Sequence, residues 1–242
     1  MRWVTRDEQP DLPGIPGSDV WPEYNMHADI VGALWPRLHA DVRQFQSICR
    51  DEDSGTVLAE ANTVPCRWDG TDDGLGSGID EMMTDAFARL DRGQTANTLC
   101  ALAAKVSPAA RSRGLAAETL RQMLRVATAH GLTAVIAPVR PSWKSRYPTF
   151  PIREYVTWRR ADGMLFDPWM RVHERLGARM GPALPQSLRI TGTVAEWEQW
   201  IDLPLPVSGS YVFPQGLAPL HVDRDADHGE YWEPNVWFVH SA

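Results

Sequence analysis

The feature that most constrains this chain is the stretch from Thr98 to Gly131. Thr98-Leu99-Cys100-Ala101-Leu102-Ala103-Ala104-Lys105-Val106 is almost continuously apolar, as expected of a strand covered on both faces. Ser107-Pro108 ends it, because proline cannot donate to a ladder. A basic turn, Arg111-Ser112-Arg113-Gly114, leads into an amphipathic helix that runs to about His130. Ala116, Leu120, Met123, Leu124 and Ala127 share one stripe of that helix, and Glu118, Arg121, Gln122 and Arg125 fall off it. Gly131 stands where a glycine closes a helix.

The chemistry of the turn follows from its backbone. A helix that starts near Gly114 presents unpaired N–H groups and the positive end of its dipole. Gly114 lets a ligand come close to the main chain, and Arg111 and Arg113 add positive charge. The arrangement suits a phosphate or pyrophosphate. It is not a Walker loop, because no Gly-Lys-Ser/Thr follows, and it is not a dinucleotide fingerprint, which needs three glycines.

Arg-x-x-Gly-x-Ala at Arg111 to Ala116, between a buried strand and an amphipathic helix, resembles the acyl-CoA loop of the GNAT superfamily of N-acyltransferases. The resemblance implies acetyl-CoA, or another acyl-CoA, as co-substrate. It implies CoA contacts at Leu102, Ala104 and Val106 on the strand and at Arg111, Ser112, Arg113, Gly114, Leu115, Ala116 and Ala117 on the turn. It implies an α/β (α+β) fold: a mixed, twisted sheet of about six or seven strands with helices on both faces, plus insertions. Alternating strand and helix signals along the chain point to the same class. The strands Thr98 to Val106 and Ala134 to Val139 are expected to be parallel and to diverge at their C-terminal ends, with Pro138 at the splay.

Upstream, Gln9 to Pro22 is rich in proline and glycine and reads as an extended segment. Asn25 to about Ala40 reads as a helix disturbed by Pro36. Phe45–Cys49 and Thr56–Val64 flank the turn cluster Asp51–Gly55 as a hairpin. Asp69 to Gly78 is loop, and Ile79 to Leu90 is a helix.

Downstream, Asp167 is a good N-cap and Pro168 suits a first turn. The helix they open ends His173-Glu174-Arg175-Leu176-Gly177, which is similar to the family's Tyr-Glu-Lys-Leu-Gly. His173 then stands where many members keep a tyrosine that protonates the leaving thiolate. A histidine can do acid–base work near neutral pH; a lone histidine at this spacing also reads as a packed residue. Residues 141–165 depart from the family pattern as an aromatic and basic insertion. Its Arg146, Tyr147, Tyr155 and Trp158 are expected to offer charge and aromatic walls to an acceptor, or else to anchor a surface loop. The part from Pro182 to Ala242 is longer than the family minimum. It carries strands at Ser187–Thr191, Tyr211–Phe213 and Val236–Val239, and a capping box at Thr193 and Glu196.

The reaction implied by the resemblance is direct attack of a primary amine, on a small molecule or peptide, upon the thioester. Glu60 is the best-placed carboxylate for a general base and Asp69 the next; each also reads as an exposed strand-face or turn residue. An N–H near Leu102 to Ala104 would hold the oxyanion. A non-catalytic acyl-CoA-binding or regulatory module, or another acyl-CoA enzyme such as a hydrolase or decarboxylase, remain alternatives on the same fold.

Composition narrows the setting. The 242 residues, 43% hydrophobic, suit one acyltransferase domain spanning residues 1–242. A net charge of −7 argues against nucleic acid as the main partner. No apolar run is long enough to span a bilayer. Cys49, Cys66 and Cys100 read as reduced core thiols in a cytoplasm; a homodimer is compatible with this reading. His221, Asp223, Asp225, Asp227 and His228 read as a solvated acidic turn with no metal, because the loop lacks the glycine and glutamate of a calcium site.

Overall fold

The computed structural model describes residues 1–111 and 113–242. Its first half comprises β1 (Arg2–Thr5), α1 (Asp29–Ala40), β2 (Ser47–Arg50), β3 (Val57–Cys66), α2 (Ile79–Asp91), β4 (Thr98–Val106) and α3 (Leu115–Ala129). The second half comprises β5 (Ala134–Val139), α4 (Ile152–Tyr155), α5 (Pro168–Arg175), β6 (Arg179–Gly192), α6 (Val194–Ile201), β7 (Gly209–Tyr211), β8 (Leu220–Asp223) and β9 (His228–Ser241). No helix among the described residues is long and apolar enough to cross a membrane.

All nine strands form one sheet in the order β1-β2-β3-β4-β5-β9-β8-β7, with β6 paired to β9 off this path. The sheet therefore exceeds the six or seven strands expected. Arg2–Thr5, for which no strand is expected from the sequence, adds an edge against β2, and the C-terminal part adds β6 to β9. β6 is far longer than Ser187–Thr191 because its two prolines, Pro182 and Pro185, fall at breaks in the register with β9 rather than ending the strand. Pro36 likewise lies inside a continuous α1, and a 3-10 turn at Glu23–His27 precedes that helix.

Only β4 and β5 pair in parallel, and only over Thr98–Cys100 against Ala134–Ile136. Beyond that point each strand keeps its outer neighbour. β4 stays on β3 as far as Val106 opposite Ala59. β5 stays on β9 as far as Val139 opposite Val236. The two half-sheets separate between them, and Pro138 lies in the separated stretch, where the missing N–H breaks no bond to β4.

Layers cover both faces of the centre. α1 and α2 pack on each other and on β3 and β6, while α3 packs on β3, β4, β5 and α5. β5 is accordingly apolar throughout and β4 apolar apart from Thr98 and Lys105; Leu99, Cys100, Val135 and Ile136 are buried in the main core. The three cysteines are buried and unpaired by disulfide. In the β8–β9 turn the Asp223 carboxylate accepts from the amides of Asp225 and Ala226 at 3.0 and 3.1 Å, and Asp227 accepts from Val194 N at 3.1 Å. These carboxylates order the turn.

Candidate active site

The separation of β4 and β5 opens a cleft of about 330 Å³. Leu102, Ala104 and Val106 line it from β4, Ala137 and Val139 from β5, Ala116 and Leu120 from α3, and Trp169 and His173 from α5. A β-bulge shapes the β4 wall. Asn62 of β3 faces Ala103 and Thr63 faces Ala101, so Leu102 has no partner across the ladder. A bulge re-aims one residue and frees its backbone, here at the point where the strands part.

At the end of the cleft, Gly114 caps α3 with φ +76°. A Cβ built there would meet no atom within 4 Å. The left-handed conformation calls for glycine, and the space above it is open to a ligand. The amides of Leu115, Ala116 and Ala117 begin the helix and have no helical carbonyl to bond. The Leu115 side chain points away, buried with Cys49, Leu58, Ala59 and Ala110, so it offers only its backbone. Arg111 lines the cleft and donates through Nη2 to the carbonyl of Asp19 at 3.2 Å. Arg113 is exposed. Ser112 lies outside the described residues.

A second cavity, of about 320 Å³, adjoins the cleft and shares Trp21, Leu102, Pro138 and Arg140 with it. Trp35, Val31 and Pro36 of α1 and Met26 before it form an apolar wall. Lys105 of β4 and Glu233 and Asn235 of β9 bring polar groups. Neither β5 nor β8 pairs with residues 231–235 of β9, and Arg140 fills that gap. Its Nε donates to Glu233 at 3.0 Å, and its Nη2 donates to Tyr24 Oη and to the Gln215 carbonyl, both at 3.0 Å. Glu233 also accepts from Asn25 Nδ2 at 3.0 Å, and the hydroxyls of Tyr231 and Tyr24 lie at 3.4 and 3.5 Å.

His173 lines the cleft but is 1% exposed. Its Nδ1 lies 2.9 Å from Nε2 of His240 on β9, and the outer nitrogens, His173 Nε2 and His240 Nδ1, are buried without a partner. Burial, then the neighbouring imidazole, pushes His173 well below the ordinary histidine range; burial does the same to His240. Both rings are therefore neutral near pH 7. Two neutral rings carry two protons: one lies between them, and the other must sit on one of the two outer nitrogens. An imidazolium that gives up its proton is not what this environment favours; a neutral N–H donor is.

The structure does not bring the other expected polar residues to the cavities. Glu60 is buried in β3, directly opposite Lys105 on β4. It pairs with Lys105 Nζ at 2.8 Å and with Arg6 at 3.5 Å, and accepts from Ile15 N at 2.9 Å and Asn62 Nδ2 at 3.0 Å. Burial alone would raise its pKa, but the Lys105 ammonium and these hydrogen bonds hold it below the ordinary carboxylate value. A carboxylate so engaged is a poor base. Asp69 is exposed and accepts from the amide and hydroxyl of Thr71 at 2.9 and 2.8 Å.

Arg146, Tyr147, Tyr155 and Trp158 line neither cavity. Tyr147 packs edge-on and Tyr155 tilted against Trp158, each with centroids 5.0 Å apart, and Arg146 lies over Trp143 at 4.5 Å. The cause is Asp167. Buried, it caps α5 through the amides of Trp169 and Met170 and also accepts from Tyr155 Oη at 2.9 Å and Trp143 N at 2.7 Å. The insertion thus folds onto the start of α5. Lys144, buried within it, donates to the carbonyls of Tyr147 and Leu217 at 2.7 Å, and burial pushes its pKa down to about 8.

Sequence reasoning missed Trp21, Arg140, Glu233, Asn235 and His240. A charged residue inside a strand otherwise rich in apolar residues is a signal for Glu233 alone among them.

No protein-family model matches the sequence. The arginine N-acetyltransferase avaD of Aspergillus versicolor is 30% identical over an aligned length of 255 residues, with 94% of this chain and 87% of the relative covered. The loading GNATL domain of CurA from Lyngbya majuscula shares the fold with a TM-score of 0.57 at 18% identity, over 93% of this chain and 88% of the other. The GphF GNAT-like decarboxylase, solved with isobutyryl-CoA, aligns with a TM-score of 0.59 at 16% identity, over 100% and 99% of the two chains. Together with the splayed strands and the open glycine turn, the likeness to the arginine N-acetyltransferase places this chain in the GNAT superfamily of acyl-CoA-dependent N-acetyltransferases.

Proposed function

We propose that this protein transfers the acetyl group of acetyl-CoA to the amine of a small molecule, with arginine, the substrate in its relative's name, as the first acceptor to test. The observation that carries the reading is the meeting of the cleft and the second cavity at the point where β4 and β5 part. The pyrophosphate lies on the amides after Gly114, with the pantetheine arm between β4 and β5. The thioester then reaches Leu102, and the acceptor approaches from the cavity walled by Trp21 and Trp35. The amine nitrogen attacks the thioester carbon, the backbone at the Leu102 bulge holds the oxyanion, and the C–S bond breaks to release CoA thiolate. His173 supports the departing sulfur as a neutral N–H donor.

Glu233 is the only carboxylate among the residues that line either cavity. It is held by surrounding donors, so the proton of the amine leaves through cavity water. Residues 1–242 act as one acyltransferase domain in which 141–165 is an insertion and 182–242 completes the sheet and the acceptor wall.

The test is acetyl-CoA turnover with a panel of amines, following both free thiol and product mass. Amine-dependent thiol release with an N-acetylated product is expected. Thiol release that proceeds equally without amine would make the protein a hydrolase and overturn the reading.

A further inference from the structure

We propose that Arg140 binds a carboxylate next to the reacting amine, so that the acceptor is an α-amino acid rather than a simple amine. This rests on the transfer reading above and assigns the substrate class of the same site.

Three observations converge on Arg140. It follows the last residue of β5, and it lines both the cleft and the acceptor cavity. Of the four residues that line both spaces it alone is charged, and it stands beside the point where the amine meets the thioester. An α-carboxylate is separated from its amine by a single carbon, so it must arrive at that junction too, whatever side chain trails into the cavity.

Second, Arg140 is preorganised. Glu233, Tyr24 and the Gln215 carbonyl take its Nε and Nη2. Its Nη1 makes no hydrogen bond among the described residues. The atom is not sealed in the core, for the side chain keeps 24% exposure. A fixed guanidinium with one nitrogen left over is a ready carboxylate donor, and its orientation costs no further entropy.

Third, the other cation of the cavity is committed. Lys105 is 5% exposed, pairs with Glu60 at 2.8 Å, donates to the Ile15 carbonyl at 3.0 Å, and lies 5.9 and 6.0 Å from the Trp21 and Trp35 rings. Lys105 shapes the pocket, and Arg140 is the cation with a donor to give.

The experiment compares L-arginine with agmatine, which is arginine without its carboxylate, and with argininamide, which keeps the carbon but not the charge. In the wild type, kcat/KM for arginine should exceed that for each of the other two by about ten- to hundredfold, as for one charge-assisted hydrogen bond. In Arg140→Gln that ratio should fall to within about threefold of unity, with acetyl-CoA affinity retained in calorimetry. Arg140→Lys, which keeps a cation for Glu233, guards against a folding defect, and melting curves of both variants report it. Equal use of arginine and agmatine by the wild type overturns the proposal. So does a ratio that survives in Arg140→Gln, or an equal fall for all three substrates, which would make Arg140 an oxyanion or CoA contact. If no amine is acetylated, the transfer reading fails instead. Calorimetric binding of arginine against agmatine then still decides whether the carboxylate is recognised.

Discussion

Gly114→Ala isolates the ligand-binding part of the turn from its structural part. The residue has φ +76°, where an alanine costs roughly 1–2 kcal/mol. No protein atom lies within 4 Å of the added methyl, so no clash adds to that cost. At about 2–4 °C per kcal/mol for a chain of this size, Tm should fall by roughly 2–8 °C. The methyl occupies the space through which a pyrophosphate must approach the amides of α3. Losing one charge-assisted hydrogen bond, worth about 1.5–3 kcal/mol, should weaken CoA binding about ten- to hundredfold. Gly131 supplies a matched control. It lies at the other end of α3 with φ +69° and also has nothing within 4 Å. Gly131→Ala should therefore lower Tm by a similar amount and leave CoA affinity unchanged. Calorimetric titration with CoA beside thermal melts of both variants reads the difference. Equal CoA affinities in the two variants would refute the placement of the pyrophosphate.

His173→Phe should lower kcat by about ten- to hundredfold, the worth of a neutral donor to the thiolate, while leaving CoA binding nearly intact; stopped-flow thiol release and calorimetry check it, and an unchanged kcat removes His173 from the reaction. Glu60→Gln leaves Lys105 buried without its counter-charge and should cost about 3–5 kcal/mol in denaturant unfolding, with much of the loss recovered in Glu60→Gln/Lys105→Met; equal stability of single and double variants would contradict this. Asp80 is pushed up to about 6 by burial, while its Oδ2 accepts from Arg189 N at 2.8 Å. A raised carboxyl contributes stability below its unfolded value, roughly pH 4, and loses it as pH rises through about 6. Asp80→Asn should therefore flatten the stability profile between those values and gain up to about 1–2 kcal/mol at pH 7 relative to wild type, after discounting for solvent screening; parallel profiles would show that Asp80 is not the group responsible.

The local parts of the site were legible in the sequence. The run Thr98–Val106, the single glycine at 114 and the stripe on α3 are read over short spans, and the structure places them as strand, left-handed cap and helix. Asp167 was legible as a cap, but not as the group that also draws in Tyr155 and Trp143. Aromatic content reveals that a segment will pack, not on what.

Glu60 shows what a sequence lacks. Thr63 opposite Ala101 sets a register that, continued, would bring Glu60 opposite Ala104; the extra residue at Leu102 moves it opposite Lys105. A one-residue bulge thereby changes a free-standing carboxylate into half of an ion pair, and propensity carries no trace of it. Arg140 and Glu233 were hidden for a similar reason. They meet only because β9 enters beside β5, and separation along the chain conceals that neighbour.

The position of β9 also ties the second cavity to the integrity of the sheet. β9 follows every other strand in the chain, yet it lies inside the sheet, with β5 and β8 along one edge and β6 along the other. The glycine turn, β4 and α3 are complete without it. Glu233, Asn235 and His240 are not. A chain in which β9 is undocked keeps the strand, turn and helix of the cleft but lacks the wall that Glu233 and Asn235 give the second cavity. It also leaves the edge of β5 open, a fully buried strand of Ala134–Val139 in the finished fold, and such an edge invites pairing with other chains. Docking of one late strand closes that edge, seats Arg140 and backs His173 with its partner ring. In the finished fold the strand that walls the second cavity with Glu233 and Asn235 is thus also the strand that covers the edge of β5.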